Sequence, residues 1–238
     1  MKTALEAPVR GRFVRRYKRF FADVETEDGE LLTVHCPNPG SMKGFHRPGA
    51  AVRCSTHDDP KRKLRHTLEM MRVGRTWVGL HPGRANAIVE GALSDGVPPS
   101  LGGYRDIARE VGVDHEGRRS RLDFRLSGHP DDPRDAYLEV KSVTLAEGGL
   151  ALFPDSVTER GRRHLEVLEG LREDGHRAVL LFLVQRADCD RVAPAEAIDP
   201  AYATTLRRAA RAGVEIRALG ARVTARSIAV ERELPVVW

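Results

Sequence analysis

The sequence predicts a mixed α/β protein, with a small β-barrel in its first third and an α-β-β-β-α-β arrangement in the remainder. The first observation is a series of about five short β-rich segments separated by turn residues, which is typical of a small barrel. The second is a change in the pattern of predicted elements after residue 84, where helical segments begin to alternate with strands. The third is the turn-rich stretch at residues 94–99. We therefore expect two domains, residues 1–84 and residues 85–238.

The strands of the barrel are predicted from β-branched, aromatic and alternating residues that lie between turn signals. Asp28-Gly29 is a turn dipeptide, residues 37–41 form a loop rich in Pro and Gly, and Gly74 separates two strand-like segments as in a hairpin. The predicted strands are residues 12–17, 20–24, 31–35, 50–55, 67–73 and 76–80.

The second domain combines helices and strands. Asp155 is the expected N-cap of its long helix, and Gly175 lies just beyond the expected end. Residues 178–184 are apolar without alternation, which is typical of a strand covered on both faces. In order, the predicted elements are a helix at 85–93, strands at 109–113, 121–126 and 136–143, a helix at 156–173, a strand at 178–184, a helix at 200–212 and two further strands.

The composition argues against a membrane protein and against a disulfide-stabilised one. The longest apolar run, residues 178–184, is far shorter than the roughly 20 residues of a membrane-spanning helix. The N-terminus has no apolar signal core. Cys36, Cys54 and Cys189 are scattered and odd in number, which fits a reducing compartment. We therefore expect a cytoplasmic protein.

Positive charge is concentrated in the first third of the chain. Residues 1–84 carry 17 Lys and Arg against 9 Asp and Glu, whereas residues 85–238 carry 22 against 25. The whole chain has a formal net charge of +5. A general preference for Arg would raise the total but would not produce this asymmetry. The distribution therefore predicts that the first domain binds the phosphates of a nucleic acid.

Asp123, Glu139 and Lys141 form the pattern with the clearest chemistry. Each lies in a predicted strand, and Glu139 and Lys141 point to the same face because they are two residues apart. Alternation likewise predicts that Asp123 faces away from Leu122 and Phe124. A turn-rich connection makes the two strands neighbours, so that two carboxylates and an ammonium group converge.

This convergence suits the hydrolysis of a phosphodiester. Asp123, Glu139 and the backbone carbonyl of Val140 are candidate ligands for Mg²⁺ or Mn²⁺, and Lys141 is a candidate catalytic residue beside them. Glu110 is predicted as a further catalytic acid, with Glu90 on the preceding helix as the alternative. The competing interpretation is a cross-strand salt bridge on an exposed face. The order of elements around this pattern resembles that of the PD-(D/E)xK nucleases.

Three basic segments are candidates for nucleic-acid binding. The first interleaves cations with aromatic rings, as in single-strand-binding grooves, and the third lies at the start of a helix, where a phosphate can bind. For each segment the alternative is an ordinary solvated surface. The predicted binding residues are Arg15, Arg16 and Arg19, then Lys61, Arg62 and Lys63, and finally Arg160 and His164.

Motifs along nearly the whole chain resemble the sugar fermentation stimulation protein family. The motifs are residues 19–20, 33–38, 40–42, 60–63, 120–124, 139–145, 153–155, 158–161, 164–165 and 198–202. The resemblance implies an N-terminal OB-fold barrel, a C-terminal domain like that of the restriction endonucleases, and a bacterial or archaeal cytoplasmic protein. It also implies sequence-tolerant DNA binding and a role in the regulation of sugar utilisation genes.

Two functions are consistent with these patterns. One is a Mg²⁺-dependent nuclease whose barrel delivers DNA, or alternatively RNA, to Asp123, Glu139 and Lys141. The other is a DNA-binding regulator that carries a silent nuclease fold. A module without any role in nucleic-acid binding is disfavoured by the charge asymmetry. The sequence leaves the oligomeric state open, with a homodimer as one alternative.

Overall fold

The computed structural model describes residues 2–115 and 117–238. Its first strand, β1 (Lys2–Ala4), lies outside the barrel, which is formed by the strands that follow. These are β2 (Val9–Tyr17), β3 (Phe21–Thr26), β4 (Leu31–His35), β5 (Ala51–Thr56), β6 (His66–Val73) and β7 (Thr76–Gly79).

The barrel has the connectivity of an OB fold. Strands β2, β3 and β4 form a meander, β2 also pairs with β5, and β5 pairs with β6. A parallel bridge between His35 and Thr67 joins β4 to β6 and closes the barrel. The interior is filled by apolar side chains such as Phe13, Val34 and Leu68. The predicted barrel is therefore confirmed.

The second domain contains the predicted α-β-β-β-α-β order. Its elements are α1 (Ala85–Ser94), β8 (Asp106–His115), β9 (Arg118–Ser127), β10 (Ala136–Val143), β11 (Ala146–Glu147), β12 (Leu150–Phe153), α2 (Glu159–Glu173), β13 (Arg177–Val184), β14 (Arg191–Pro194), α3 (Pro200–Arg211), β15 (Glu215–Val223) and β16 (Ser227–Glu233).

A seven-stranded mixed sheet forms the centre of this domain, in the order β1-β16-β15-β13-β10-β9-β8. Strand β13 is parallel to both β10 and β15. One set of its side chains packs with α1, and the alternate set packs with α2 and α3. The prediction that residues 178–184 are covered on both faces is therefore confirmed.

The predicted division at residue 84 is wrong for the first residues of the chain. Strand β1 pairs antiparallel with β16, with Thr3 opposite Ile228, so that it covers an edge of the second sheet. Leu5 and Ala7 then pack in the same core cluster as α1. The small sheet of β11, β12 and β14 was also not predicted, because its strands are only two to four residues long.

Helix α2 begins later than predicted. Its N-cap is Thr158, whose side chain accepts a hydrogen bond from the Gly161 N–H at 3.0 Å. Asp155, the predicted cap, instead accepts a hydrogen bond from the Met42 N–H of the barrel at 3.3 Å. The predicted N-cap is therefore wrong, because Asp155 accepts its hydrogen bond from the barrel rather than from the first turn of α2.

The barrel is fixed to the second domain by backbone contacts and shared core. The Gly79 N–H donates to the Gln185 carbonyl at 3.0 Å, and Met70 and Trp77 pack in or against the core cluster around α1. A Cβ atom at Gly40 would lie 2.1 Å from a carboxylate oxygen of Asp155, so only glycine allows this approach. Among the described residues, no helix is both long and apolar enough to cross a membrane.

Candidate active site and nucleic-acid interface

Asp123 lies where two neighbouring strands separate. The regular pairing of β9 with β10 ends at Phe124 opposite Leu138. Beyond that point the Val140 N–H donates to Asp123 Oδ2 at 2.7 Å, so the carboxylate takes the place of a strand partner. Asn86 of α1 donates its side-chain amide to Asp123 Oδ1, also at 2.7 Å. Asp123 is thus held from both sides.

The predicted alternation of β9 is broken at Asp123. Phe124 packs in the core cluster around α1, whereas Leu122 packs in the cluster around α2 and α3. The expectation that these two side chains share a face was therefore wrong. The irregularity continues into β8, where Glu110 has a φ of 51° at the register position opposite Asp123. Such left-handed backbone is costly for a non-glycine residue and is found preferentially at functional sites.

Glu139 is almost completely buried, with 4% of its surface exposed. Its Oε1 accepts a hydrogen bond from Lys141 Nζ at 2.6 Å and also contacts His164 Nδ1. Its Oε2 is buried and has no hydrogen-bond partner in the described part of the protein. A buried carboxylate oxygen without a partner is costly, and a bound cation would remove that cost.

The charge of Glu139 acts on the pKa of Asp123. Burial, followed by the negative charge of Glu139, raises the pKa of Asp123, although hydrogen bonds from Val140 and Asn86 act in the opposite direction. Burial also acts to raise the pKa of Glu139, but His164 and Lys141 outweigh it, and the pKa of Glu139 is lowered. Glu139 therefore carries its negative charge near Asp123.

The carboxylate oxygens of Asp123 and Glu139 fit a cation that keeps part of its water shell. The described residues contain no group of three or more His, Cys, Asp or Glu side chains that could hold a metal ion. Mg²⁺, however, is commonly bound through one or two carboxylates with water as the remaining ligands. Asp123 and Glu139 supply the two carboxylates, and Glu139 Oε2 supplies an oxygen to which no described residue donates a hydrogen bond.

The two predicted additional acids do not contact these carboxylates. Glu110 forms a salt bridge with Arg121 at 2.8 Å, and Glu90 forms one with Arg109 at 3.3 Å. The residue that α1 contributes is Asn86, one helical turn before Glu90. The sequence did not predict this role, because an amide that orients a carboxylate has no local sequence signature. We call Asp123, Glu139, Lys141, Asn86 and His164 the carboxylate site.

Helix α2 turns His164 towards the carboxylate site. His164 is 6% exposed, lies 3.3 Å from Lys141 Nζ, and accepts a hydrogen bond from Arg160 Nε at 3.3 Å. The predicted pairing of Arg160 and His164 across one helical turn is thus confirmed as a contact. His164 is placed to orient Glu139 and Lys141, and Arg160 lies at the outer side of His164.

The predicted basic residues of the first segment differ in how firmly they are held. Arg16 donates hydrogen bonds to the carbonyls of Asn38 and Gly40 at 2.9 and 3.0 Å, so its guanidinium fixes the loop after β4. Arg15 is exposed but pairs with Asp23 at 2.7 Å. Arg19 donates to the Pro39 carbonyl and lies 5.4 Å from the centre of the Phe20 ring.

The structure brings the first and second basic segments together. A cleft of about 310 Å³ lies between the turn after β2, the end of β4 and the loop before β6. Lys61 is exposed in the same loop. We call this feature the barrel cleft, and it is lined by Phe20, Phe21, His35, Arg62, Lys63 and Leu64.

Known proteins match this chain over both domains. Residues 14–80 match the family model described as the SfsA N-terminal OB domain, and residues 83–227 match that of the sugar fermentation stimulation protein RE domain. A sugar fermentation stimulation protein homolog of Halorhodospira halophila is 52% identical over 227 residues, which is 94% of this chain and 93% of the relative. The homolog of Thermosynechococcus vestitus is 49% identical, over 87% of this chain and 85% of the relative.

A solved structure matches as well. The structure of Pyrococcus furiosus SfsA in complex with Ca²⁺ aligns over 100% of both chains, with a TM-score of 0.86 and 29% sequence identity. The predicted architecture, a barrel followed by an α/β domain, is therefore shared with this protein.

Proposed function

The chain belongs to the sugar fermentation stimulation protein family, and on that premise we propose that it is a divalent-metal-dependent nuclease that acts on DNA. The observation that carries this proposal is the buried Glu139 Oε2, which lacks a hydrogen-bond partner among the described residues and lies near Asp123. Two adjacent carboxylates with an unused oxygen are what a Mg²⁺ or Mn²⁺ ion requires. The Ca²⁺ in the structure of the Pyrococcus furiosus relative adds support, because Ca²⁺ and Mg²⁺ both take oxygen ligands.

Asp123, Glu139 and the carbonyl of Val140 would hold the ion. When bound, the ion would neutralise developing negative charge on the phosphate and lower the pKa of a bound water. Lys141 keeps its ammonium group beside Glu139, where it would stabilise the charge on a phosphodiester oxygen. Asn86 orients Asp123, and His164 orients Glu139 and Lys141.

The barrel would bind the nucleic acid. Its excess of positive charge, and the way the barrel cleft joins two basic segments, support contacts to phosphates. We further propose that the protein acts in the cytoplasm, because Cys36, Cys54 and Cys189 are all free thiols.

A cleavage assay tests this function. Labelled single- and double-stranded DNA and RNA are incubated with Mg²⁺, Mn²⁺ or EDTA and either the wild type, Asp123→Asn or Glu139→Gln. Glu173→Gln serves as the matched control, because Glu173 is an exposed residue at the end of α2. We expect metal-dependent cutting by the wild type and the control alone. A wild type that cuts none of these substrates with either metal contradicts the proposal.

A DNA-binding regulator of sugar utilisation genes is the second candidate. It is favoured by the hydrogen bonds of Asp123, because both carboxylate oxygens already accept a hydrogen bond from the protein. In that case DNA is bound but not cut, and the affinity of the wild type falls steeply as salt is raised. The cleavage assay distinguishes the two functions, because a regulator would bind DNA while even the wild type leaves it uncut with Mg²⁺ or Mn²⁺.

A further inference from the structure

We propose that the barrel cleft binds one unpaired nucleobase, so that the nucleic acid held by the barrel is single-stranded at that point. This inference rests on the proposed role in nucleic-acid binding and names the structural class of the substrate. It does not depend on whether the carboxylate site cleaves.

The walls of the barrel cleft are suited to a flat aromatic ligand. Phe20 is 41% exposed, and its ring lines the cleft. Phe21 and Leu64 provide further apolar surface. His35 lies 6.5 Å from Phe20 between ring centres, with the two planes tilted by 31°. Exposed rings of this kind stack on nucleobases.

The rim of the barrel cleft supplies polar and cationic groups. Lys63 is exposed and has no ion-pair partner among the residues that the structure describes. Arg62 is held by a hydrogen bond to Thr67 at 3.1 Å, which orients its guanidinium. Burial, followed by the positive charge of Arg62, lowers the pKa of His35, which favours the neutral imidazole, and a neutral imidazole can both donate and accept a hydrogen bond.

The barrel cleft also lies where barrels of this topology bind oligonucleotides. It is formed by β3, the end of β4, the loop between β2 and β3, and the loop between β5 and β6. In OB folds the binding surface is the face of the second and third strands with the loops beside it. Here those elements are β3 and β4 with the two loops.

A paired base cannot reach this position. In a duplex both faces of each base are stacked, so a base can enter a pocket only when it is unpaired or flipped out. A series of contacts connects the cleft to the second domain: Arg19 donates to the Pro39 carbonyl, and the Met42 N–H donates to Asp155 just before α2. These contacts place the loop after β4 between the turn beside the cleft and the start of the helix that carries His164.

Equilibrium binding in EDTA tests the inference without any cleavage. The full chain is titrated against a fluorescent thymidine oligonucleotide and against the corresponding duplex of equal length. We expect the wild type to bind the single strand at least about fivefold more tightly, since stacking of one base changes Kd by about fivefold or more. Phe20→Ala should remove most of this preference with little effect on the duplex. Leu31→Ala is the matched control, because Leu31 is 63% exposed on the same barrel but outside the cleft.

A change in the ligand provides a second test that no folding defect can imitate. Abasic sites placed throughout the single strand should weaken its binding to the wild type by a similar factor, while phosphate contacts remain. Equal affinity of the wild type for single strand and duplex would overturn the inference, as would full affinity for the abasic strand. Loss of cleavage activity in all proteins would overturn the proposed nuclease instead, and leave this result unchanged.

Discussion

The carboxylate site and the barrel cleft differ in how their charged groups are held. In the carboxylate site each charged side chain contacts at least one neighbour in the protein, and Glu139 is nearly inaccessible to solvent. In the barrel cleft Lys63 is exposed without an ion-pair partner among the described residues, and Phe20 is open to solvent. The first arrangement suits chemistry, which requires fixed geometry, and the second suits binding of a flexible strand.

Removing the charge of either carboxylate in the carboxylate site should have the largest effect on cleavage. Asp123→Asn and Glu139→Gln keep the shape of each side chain but remove the negative charge that a cation requires. We expect cleavage to fall by at least about 100-fold, the scale at which groups that stabilise the transition state act. DNA binding in EDTA should stay within about twofold of wild type.

The measurement is the single-turnover rate with Mg²⁺, beside a binding titration in EDTA. Glu173→Gln should match the wild type in both. Equal losses of cleavage and binding in Asp123→Asn would show that the two regions do not act separately.

Replacing Asn86 should have a smaller effect, on the Mg²⁺ requirement of cleavage more than on its maximal rate. Asn86→Ala removes the hydrogen bond to Asp123 Oδ1 without removing a ligand. Groups that orient metal ligands typically change metal affinity or activity by about 10- to 100-fold. We expect a higher Mg²⁺ concentration at half-maximal cleavage, with less change in the rate at saturating Mg²⁺.

The control is Glu90→Gln, one helical turn further along α1, where Glu90 pairs with Arg109. An unchanged Mg²⁺ requirement in Asn86→Ala would remove Asn86 from the carboxylate site.

Some basic residues of the barrel should affect DNA binding, and others should affect only the stability of the fold. Lys63→Ala should weaken DNA binding several-fold and reduce the slope of log affinity against log salt by about 1, because one phosphate contact is lost. Arg16→Ala should leave that slope unchanged but lower the free energy of unfolding by about 1–3 kcal/mol, because Arg16 donates to the carbonyls of Asn38 and Gly40.

Binding isotherms at several salt concentrations and urea denaturation measure the two quantities. Lys43→Ala, which removes an exposed lysine of the barrel outside the cleft, serves as the control. A large change of slope in Arg16→Ala would show that its guanidinium contacts phosphate after all.

Glu215 is a partly buried carboxylate whose negative charge is paired with two arginines, in contrast to Glu139 with its unpartnered oxygen among the described residues. Burial acts to raise its pKa, but hydrogen bonds from Arg177 and Arg217 outweigh it, and the pKa of Glu215 is lowered from its usual value. Because the pKa is lower in the folded state, this pairing stabilises the protein above the unfolded pKa and is lost as the pH falls through the folded pKa.

Glu215→Gln should therefore reduce the loss of stability on acidification by about 1 kcal/mol. The free energy of unfolding between pH 7 and pH 3 measures this, with Glu173→Gln as the control. A wild type and a variant with parallel pH profiles would contradict the assigned pairing.

Sequence patterns predicted the order of helices and strands and the contact between Glu139 and Lys141, because both depend on local periodicity. Glu139 and Lys141 share a face since they are two residues apart in a regular strand, and the structure confirms their contact. Asp123 was recognised by residue type and position, but the break in β9 at this residue was not, because alternation assumes a regular strand. Asn86 was missed because an amide that orients a carboxylate has no local signature.

The sequence by itself determined a basic first third, a barrel, an α-β-β-β-α-β domain and a pair of carboxylates with a lysine. Only the tertiary structure decided which distant residues meet: β1 with β16, Asp155 with Met42, His164 with Glu139 and Phe20 with Lys63. The physical reason is that periodicity and turn propensity act over a few neighbouring residues. Contacts between residues far apart in the chain depend instead on how complete sheets and helices pack, which minimises exposed apolar surface and unpaired polar groups across the whole molecule.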